Sequence, residues 1–142
     1  MRLTLAVIAV ILVLFVGVFP SGKWQWYLTY PYFDKVMHLL GGFVIAWLLG
    51  HLLERDLRNA SWWGAAVMLV GAATIVGVAW EAAEFLANTY WADAAGGWKA
   101  LAWQYFHGGD LKDTLLDLGA DMVGALLLVA VYEPLVRGGK KD

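Results

Sequence analysis

The chain has 142 residues, 61% of them hydrophobic and 15% charged, with a net charge of −2 and a mean hydropathy of +0.63. A soluble domain is typically about half apolar and a quarter charged, so this composition points to a membrane protein; the length admits one domain of roughly four spans at about 20 residues each. The lack of a basic stripe disfavours nucleic-acid binding, and the lack of cysteine excludes disulfides, thiolate catalysis, Cys-ligated zinc and iron–sulfur clusters.

The first apolar run, 3–19, lies between Arg2 and Pro20-Ser21-Gly22. A signal peptide begins the same way, but its apolar region is about 7–15 residues long. With a longer run and no small-x-small pattern before Ser21, an uncleaved transmembrane helix is expected. The second run covers 36–53, with His38 and His51 near its ends, and the third covers 62–86, apolar until Trp80 and then carrying Glu81 and Glu84. The fourth, 114–136, is interrupted by Asp117 and Asp121. A barrel would need alternating strands of about ten residues, and none occur, so the expected architecture is all-α: a polytopic four-helix bundle in a single domain. Gly42, Ala46 and Gly50, and likewise Ala120 and Gly124, recur every four residues and would let helix backbones approach closely.

Basic residues suggest an orientation. With the N-terminus inside, Arg2, Arg55, Arg58, Arg137, Lys140 and Lys141 lie on the cytoplasmic side, and Lys23, Lys35, Lys99 and Lys112 on the outer side. That bias favours an inner-membrane protein with both termini cytoplasmic. Trp24, Trp26, Tyr30 and Tyr32 crowd the first outer loop, and Trp91, Trp98, Trp103 and Tyr105 the third, as expected of an aromatic belt. Trp98, Leu101, Ala102 and Tyr105 fall at helical spacing, which predicts a short interfacial helix in the third loop.

This topology brings charges together. Asp34 and His38 are an i, i+4 pair at the start of the second helix; Glu81 and Glu84 end the third; Asp113, Asp117 and Asp121 repeat every four residues from the start of the fourth. All belong to one leaflet, and intramembrane charges face the bundle interior. Asp34 and Asp113 also stand where helix N-caps are expected, and Asp110 and His107 read as loop residues. His51 and Glu133 fall at the opposite end. Lys35 is rotated off the Asp34–His38 stripe, and Lys112 precedes the helix, so the six acids lack sufficient basic partners. A divalent cation would balance them. His38, Glu84, Asp117 and Asp121 are the preferred ligands, Asp34 and Asp113 further ones, and Glu81 the carboxylate free to take a proton. Carboxylate oxygens suit Mg²⁺, Mn²⁺ or Ca²⁺, the imidazole widens the choice to Zn²⁺ or Fe²⁺, and the number of acids permits two ions. On the outer side four basic residues face eight acids, and on the inner side six face four; the sums, −4 and +2, make up the net −2.

Asp34-Lys35-Val36-Met37-His38 with Gly41-Gly42, Trp80-Glu81-Ala82-Ala83-Glu84-Phe85, and Asp110 to Ala125 with Asp113-Thr114, Asp117, Asp121 and Gly124 resemble, in that order, three segments of small bacterial membrane proteins. These are the YjdF-type inner-membrane proteins and, more distantly, the VanZ-like group. The chain departs from the VanZ-like pattern at Phe85-Leu86-Ala87 and at Asp121. The VanZ-like likeness implies a role in the cell envelope; the YjdF-type likeness implies membrane location without a known reaction.

Three functions fit these residues. The first is a metal-assisted hydrolase or transferase acting on a lipid or lipid-linked envelope substrate among the membrane lipids. The second is a proton or divalent-cation transporter, against which stands the wholly apolar stretch 126–131. The third is a non-catalytic membrane partner or assembly factor whose carboxylates are protonated and structural.

Overall fold

A computed structural model describes residues 2–24, 26–90 and 111–137. Every described element is helical: α1 (Arg2–Trp24), α2 (Trp26–Thr29), α3 (Phe33–Leu52), α4 (Glu54–Leu57), α5 (Trp62–Tyr90) and α6 (Leu111–Arg137). Phe33–Leu52, Trp62–Leu86 and Leu111–Val131 are long and apolar enough to cross a bilayer, and Leu3–Phe19 is a shorter apolar helix. The interfacial helix expected at 98–105, together with His107 and Asp110, lies outside the described residues.

The helices run past their expected limits. α1 continues five residues beyond Phe19, through Pro20. A proline removes one backbone hydrogen bond, which helices in membranes tolerate when neighbouring bonds persist. α3 begins three residues earlier than the apolar run, because Asp34 in its first turn suits the positive end of the helix dipole. α6 likewise begins at Leu111 with Asp113 in its first turn. The single-turn α4, which hydropathy alone does not reveal, carries an Arg58–Glu54 ion pair across its exposed side. Ser61 starts α5: its Oγ accepts the Gly64 N–H at 3.1 Å.

α3 is the hub of the bundle and packs on α1, α5 and α6. Its start meets the start of α6 and the end of α5, so α3 and α6 run parallel and α5 runs opposite to both. The expected small-residue rows make a close crossing of α3 and α6. A Cβ on Gly42 would overlap the backbone of Asp121, and one on Gly124 would lie 2.8 Å from Phe43 N. Away from the acids, Ala46, Leu69, Ala73, Ala125, Leu128 and Val129 form the apolar core, with Leu57 of α4 closing its end. The outer faces expose large apolar residues such as Ile11, Val67, Ile75, Leu115 and Val131, as lipid contact requires.

Candidate metal centre

Among the described residues, every buried polar or charged side chain lies at one end of the bundle: His38, Glu81, Glu84, Asp117 and Asp121. Helix periodicity produces this. His38 lies one turn into α3 after Asp34, and Glu81 and Glu84 share the face of α5 that continues from Gly77. Asp113, Asp117 and Asp121 descend one face of α6 by successive turns. The three stripes point at one another, as expected.

His38 is the centre of the arrangement. Its Nδ1 pairs with Asp121 Oδ2 at 3.3 Å. On its other side Nε2 stands 3.5 Å from Glu81 Oε1, 3.8 Å from Asp34 Oδ1 and 3.9 Å from Asp117 Oδ1. When Nδ1 carries the proton and donates it to the Asp121 carboxylate, Nε2 presents a lone pair to three carboxylate oxygens. A carboxylate behind an imidazole orients it and raises its basicity towards a metal. Asp121, expected as a ligand, thus occupies the position behind the ring.

Gly77 and Gly42 make room for Asp121. A Cβ on Gly77 would overlap the Asp121 carboxylate, and one on Gly42 would overlap its backbone. The two glutamates are each anchored through one oxygen. Glu81 Oε2 accepts the Thr114 hydroxyl at 2.9 Å, and Glu84 Oε1 accepts the Trp80 indole N–H at 2.6 Å. Glu81 Oε1 is buried and accepts no hydrogen bond from the described residues.

The second feature corrects the charge count made from sequence. Lys35 does not turn away: its Nζ lies 2.5 Å from Asp113 Oδ1, 2.7 Å from Asp117 Oδ1 and 3.2 Å from Asp34 Oδ2. Helical rotation fixes only where a side chain leaves the backbone, and four methylenes let a lysine reach round its helix to a polar site. One ammonium therefore serves Asp34, Asp113 and Asp117. Asp34 is not a cap either; Tyr32 holds that position without a side-chain cap bond, and the Asp34 carboxylate goes to Lys35 and His38.

Among the described residues, two overlapping groups could hold an ion: Asp34, His38 and Asp117, and His38, Glu81 and Glu84. Asp113, expected as a further ligand, is in neither and pairs with Lys35. Sequence reasoning did not find the partners Trp80 and Thr114. The signals were present in the i, i+4 spacing of Trp80 and Glu84 and in the position of Thr114 one turn before Asp117.

A family described as Predicted membrane protein (DUF2238) matches residues 1–137. The chain belongs to this family. The match supports the YjdF-type resemblance and does not extend to the VanZ-like group. No curated protein and no solved structure matches the chain. DUF2238 membership agrees with the three apolar helices, among the described residues, that are long enough to cross a bilayer.

Proposed function

We propose that this DUF2238 protein is a four-span inner-membrane protein, with both termini cytoplasmic, that holds one divalent cation on His38 Nε2. Leu3–Phe19 supplies the fourth crossing, at the short end of the span range of about 17–25 residues. The observation that carries the metal reading is Glu81 Oε1: a buried carboxylate oxygen without a hydrogen bond, 3.5 Å from an imidazole nitrogen whose ring is held from behind by Asp121. A buried carboxylate oxygen that accepts no hydrogen bond is costly, and a cation between the two atoms removes that cost. Two donors about 2.0–2.1 Å from a tetrahedral ion stand about 3.3–3.4 Å apart, close to the separation found here.

Of the two groups, His38, Glu81 and Glu84 is the better holder. Lys35 already supplies a positive charge to Asp34 and Asp117, whereas each glutamate has one oxygen anchored by a neutral donor. Both groups need His38, and Nε2 binds one ion, so the reading takes a single cation where the number of acids permits two. In this reading Glu81 passes from proton acceptor to ligand, and Asp34, half-buried at the rim, becomes the carboxylate placed to take a proton. Three protein ligands leave positions for water and for an ester or phosphoryl oxygen, which suits metal-assisted hydrolysis or transfer on a lipid or lipid-linked envelope substrate. The wholly apolar core at the far end favours a one-sided centre over a transport path, so no cation flux is expected in proteoliposomes.

Elemental analysis and Mn²⁺ titration of the purified protein test the reading. One ion per chain is expected, with affinity falling by more than about 100-fold in His38→Gln and Glu81→Gln, beyond the effect of an outer-shell change. A metal-free wild type that takes up no Mn²⁺, or unchanged uptake in Glu81→Gln, would sink it. Loss in Glu84→Gln but not in Asp117→Asn fixes the ligand group.

A further inference from the structure

A cavity of about 300 Å³ lies between α1, α3 and α5, beside the charged end. Val13 and Gly17 of α1, Met37 and Gly41 of α3, and Val76 of α5 contribute to its apolar wall. Asp34, His38 and Asp121 are the charged residues that reach it. On α3 these polar positions come first, and the wall then continues for about two turns to Ile45, so the cavity is polar at one end and apolar along the rest. Its α1 wall runs from Val10 to Val18, about 12 Å of helix axis.

The apolar length of such a cavity offers water no partners and gains dispersion energy only from hydrocarbon. Hydrocarbon is also what surrounds it: Ile11, Leu12 and Phe15, on the same stretch of α1, are more than half exposed. The size falls at the lower end of ligand pockets, about 300–1,000 Å³. The polar end adjoins the proposed cation, since Asp34 both lines the cavity and stands 3.8 Å from His38 Nε2. An acid-rich rim repels an anionic head group unless a cation bridges the two, and the proposed ion lies where it could do so.

We propose that this cleft binds one acyl chain of a membrane phospholipid, with the lipid's phosphate ester directed to the cation at His38. The assignment rests on the metal reading for its polar end and on the cavity alone for its apolar end. It makes a phospholipid, entering sideways from the bilayer, the substrate class of the centre.

The test uses the full chain in nanodiscs containing a trace of phosphatidylglycerol with a diazirine in one acyl chain, followed by photolysis and peptide mapping. A parallel sample carries diazirine-labelled palmitic acid. Expected is phospholipid labelling at Val13, Met37 and Val76 at least about tenfold above that at Leu115 and Leu116, which face lipid on α6 and report bulk contact. Val13→Trp and Gly41→Leu, which fill the cleft from opposite walls, should abolish the excess while the α6 signal persists; a Cβ at Gly41 meets only Asp121 Oδ1, at 3.8 Å. Labelling no stronger in the cleft than on α6, or unaltered by both fillings, overturns the proposal. Capture of palmitic acid in preference to the phospholipid overturns the phospholipid assignment. The wild-type map decides the matter if either variant fails to fold. Mn²⁺ uptake is measured on the same wild-type protein: absence of a cleft excess in wild type with uptake intact overturns the lipid inference alone, and wild-type labelling without uptake overturns the metal reading alone.

Discussion

The two ends of the bundle solve one packing problem with opposite chemistry. At one end α3, α5 and α6 meet through Ala46, Leu69, Ala73, Ala125, Leu128 and Val129, all apolar and nearly inaccessible. At the other the same three helices meet through His38, Glu81, Glu84, Asp117 and Asp121, also buried. Small residues occupy the interface in both. At the apolar end alanines let backbones approach for dispersion contact, which drives helix association where lipid offers no hydrophobic gain. At the polar end glycines make room for a carboxylate. The bundle is thus held along its length, while ionisable groups are concentrated at one end, where stability alone would not put them.

The largest expected effect comes from the crossing that joins the two ends. A Cβ on Gly124 would press on Leu39 O and Phe43 N, and one on Gly42 on Asp121 Cα and C; these are backbone atoms that cannot rotate aside. Overpacking costs about 1–3 kcal/mol where side chains can yield. Gly124→Ala and Gly42→Ala should exceed that range and give little folded protein by size-exclusion profile in detergent. Gly119→Ala, on the same helix as Gly124 with nothing within 4 Å of its Cβ, should instead gain about 0.5–1 kcal/mol from helix propensity. A folded Gly124→Ala with an unchanged melting temperature would show that the close crossing does not hold the bundle.

Next in size is a paired test of whether the ends are independent. Leu69, 1% exposed, is the largest fully buried side chain of the apolar end. Leu69→Ala should lower stability by about 2–5 kcal/mol. Distant sites couple weakly, so its Mn²⁺ affinity should stay within about twofold of wild type. Asp121→Asn keeps the shape behind His38 and removes the charge, and should weaken Mn²⁺ about 10–100-fold. Equal loss of cation affinity in both variants would mean that the charged end is only the top of one cooperative core.

Much of this contrast was legible in the sequence. Hydropathy gave the apolar runs, and spacings of three and four gave the shared faces of Glu81 with Glu84 and of Asp113, Asp117 and Asp121, because helix rotation per residue is fixed. The small-residue rows foretold the crossing at Gly42 and Gly124. What could not be read were properties of side-chain reach and of pairing between distant segments. Lys35 leaves α3 off the acidic stripe yet ends among Asp34, Asp113 and Asp117, since a flexible stem erases the direction set by its Cα. Asp121 has the spacing of a ligand, and only the position of the His38 ring places it on Nδ1 rather than Nε2. Hydropathy also missed α4, a single turn that completes the apolar end with Leu57.

The smallest effect separates anchoring from ligation within the charged end. Thr114 Oγ1 donates to Glu81 Oε2 and so turns Oε1 towards His38 Nε2. Thr114→Val keeps the β-branched shape and removes one hydrogen bond to a carboxylate, worth about 1.5–3 kcal/mol when the acceptor is charged. In the metal-free protein that loss should appear as reduced stability, because both Glu81 oxygens are then without a hydrogen bond. In the cation-bound protein the ion still neutralises the carboxylate, so the stability difference from wild type should narrow as Mn²⁺ is added. Affinity should fall by less than in Asp121→Asn, since a mis-turned glutamate can rotate back to a cation whereas a neutral amide cannot restore the charge behind the imidazole. A stability loss identical with and without Mn²⁺ would place Thr114 in the scaffold alone and deny Glu81 the role of ligand.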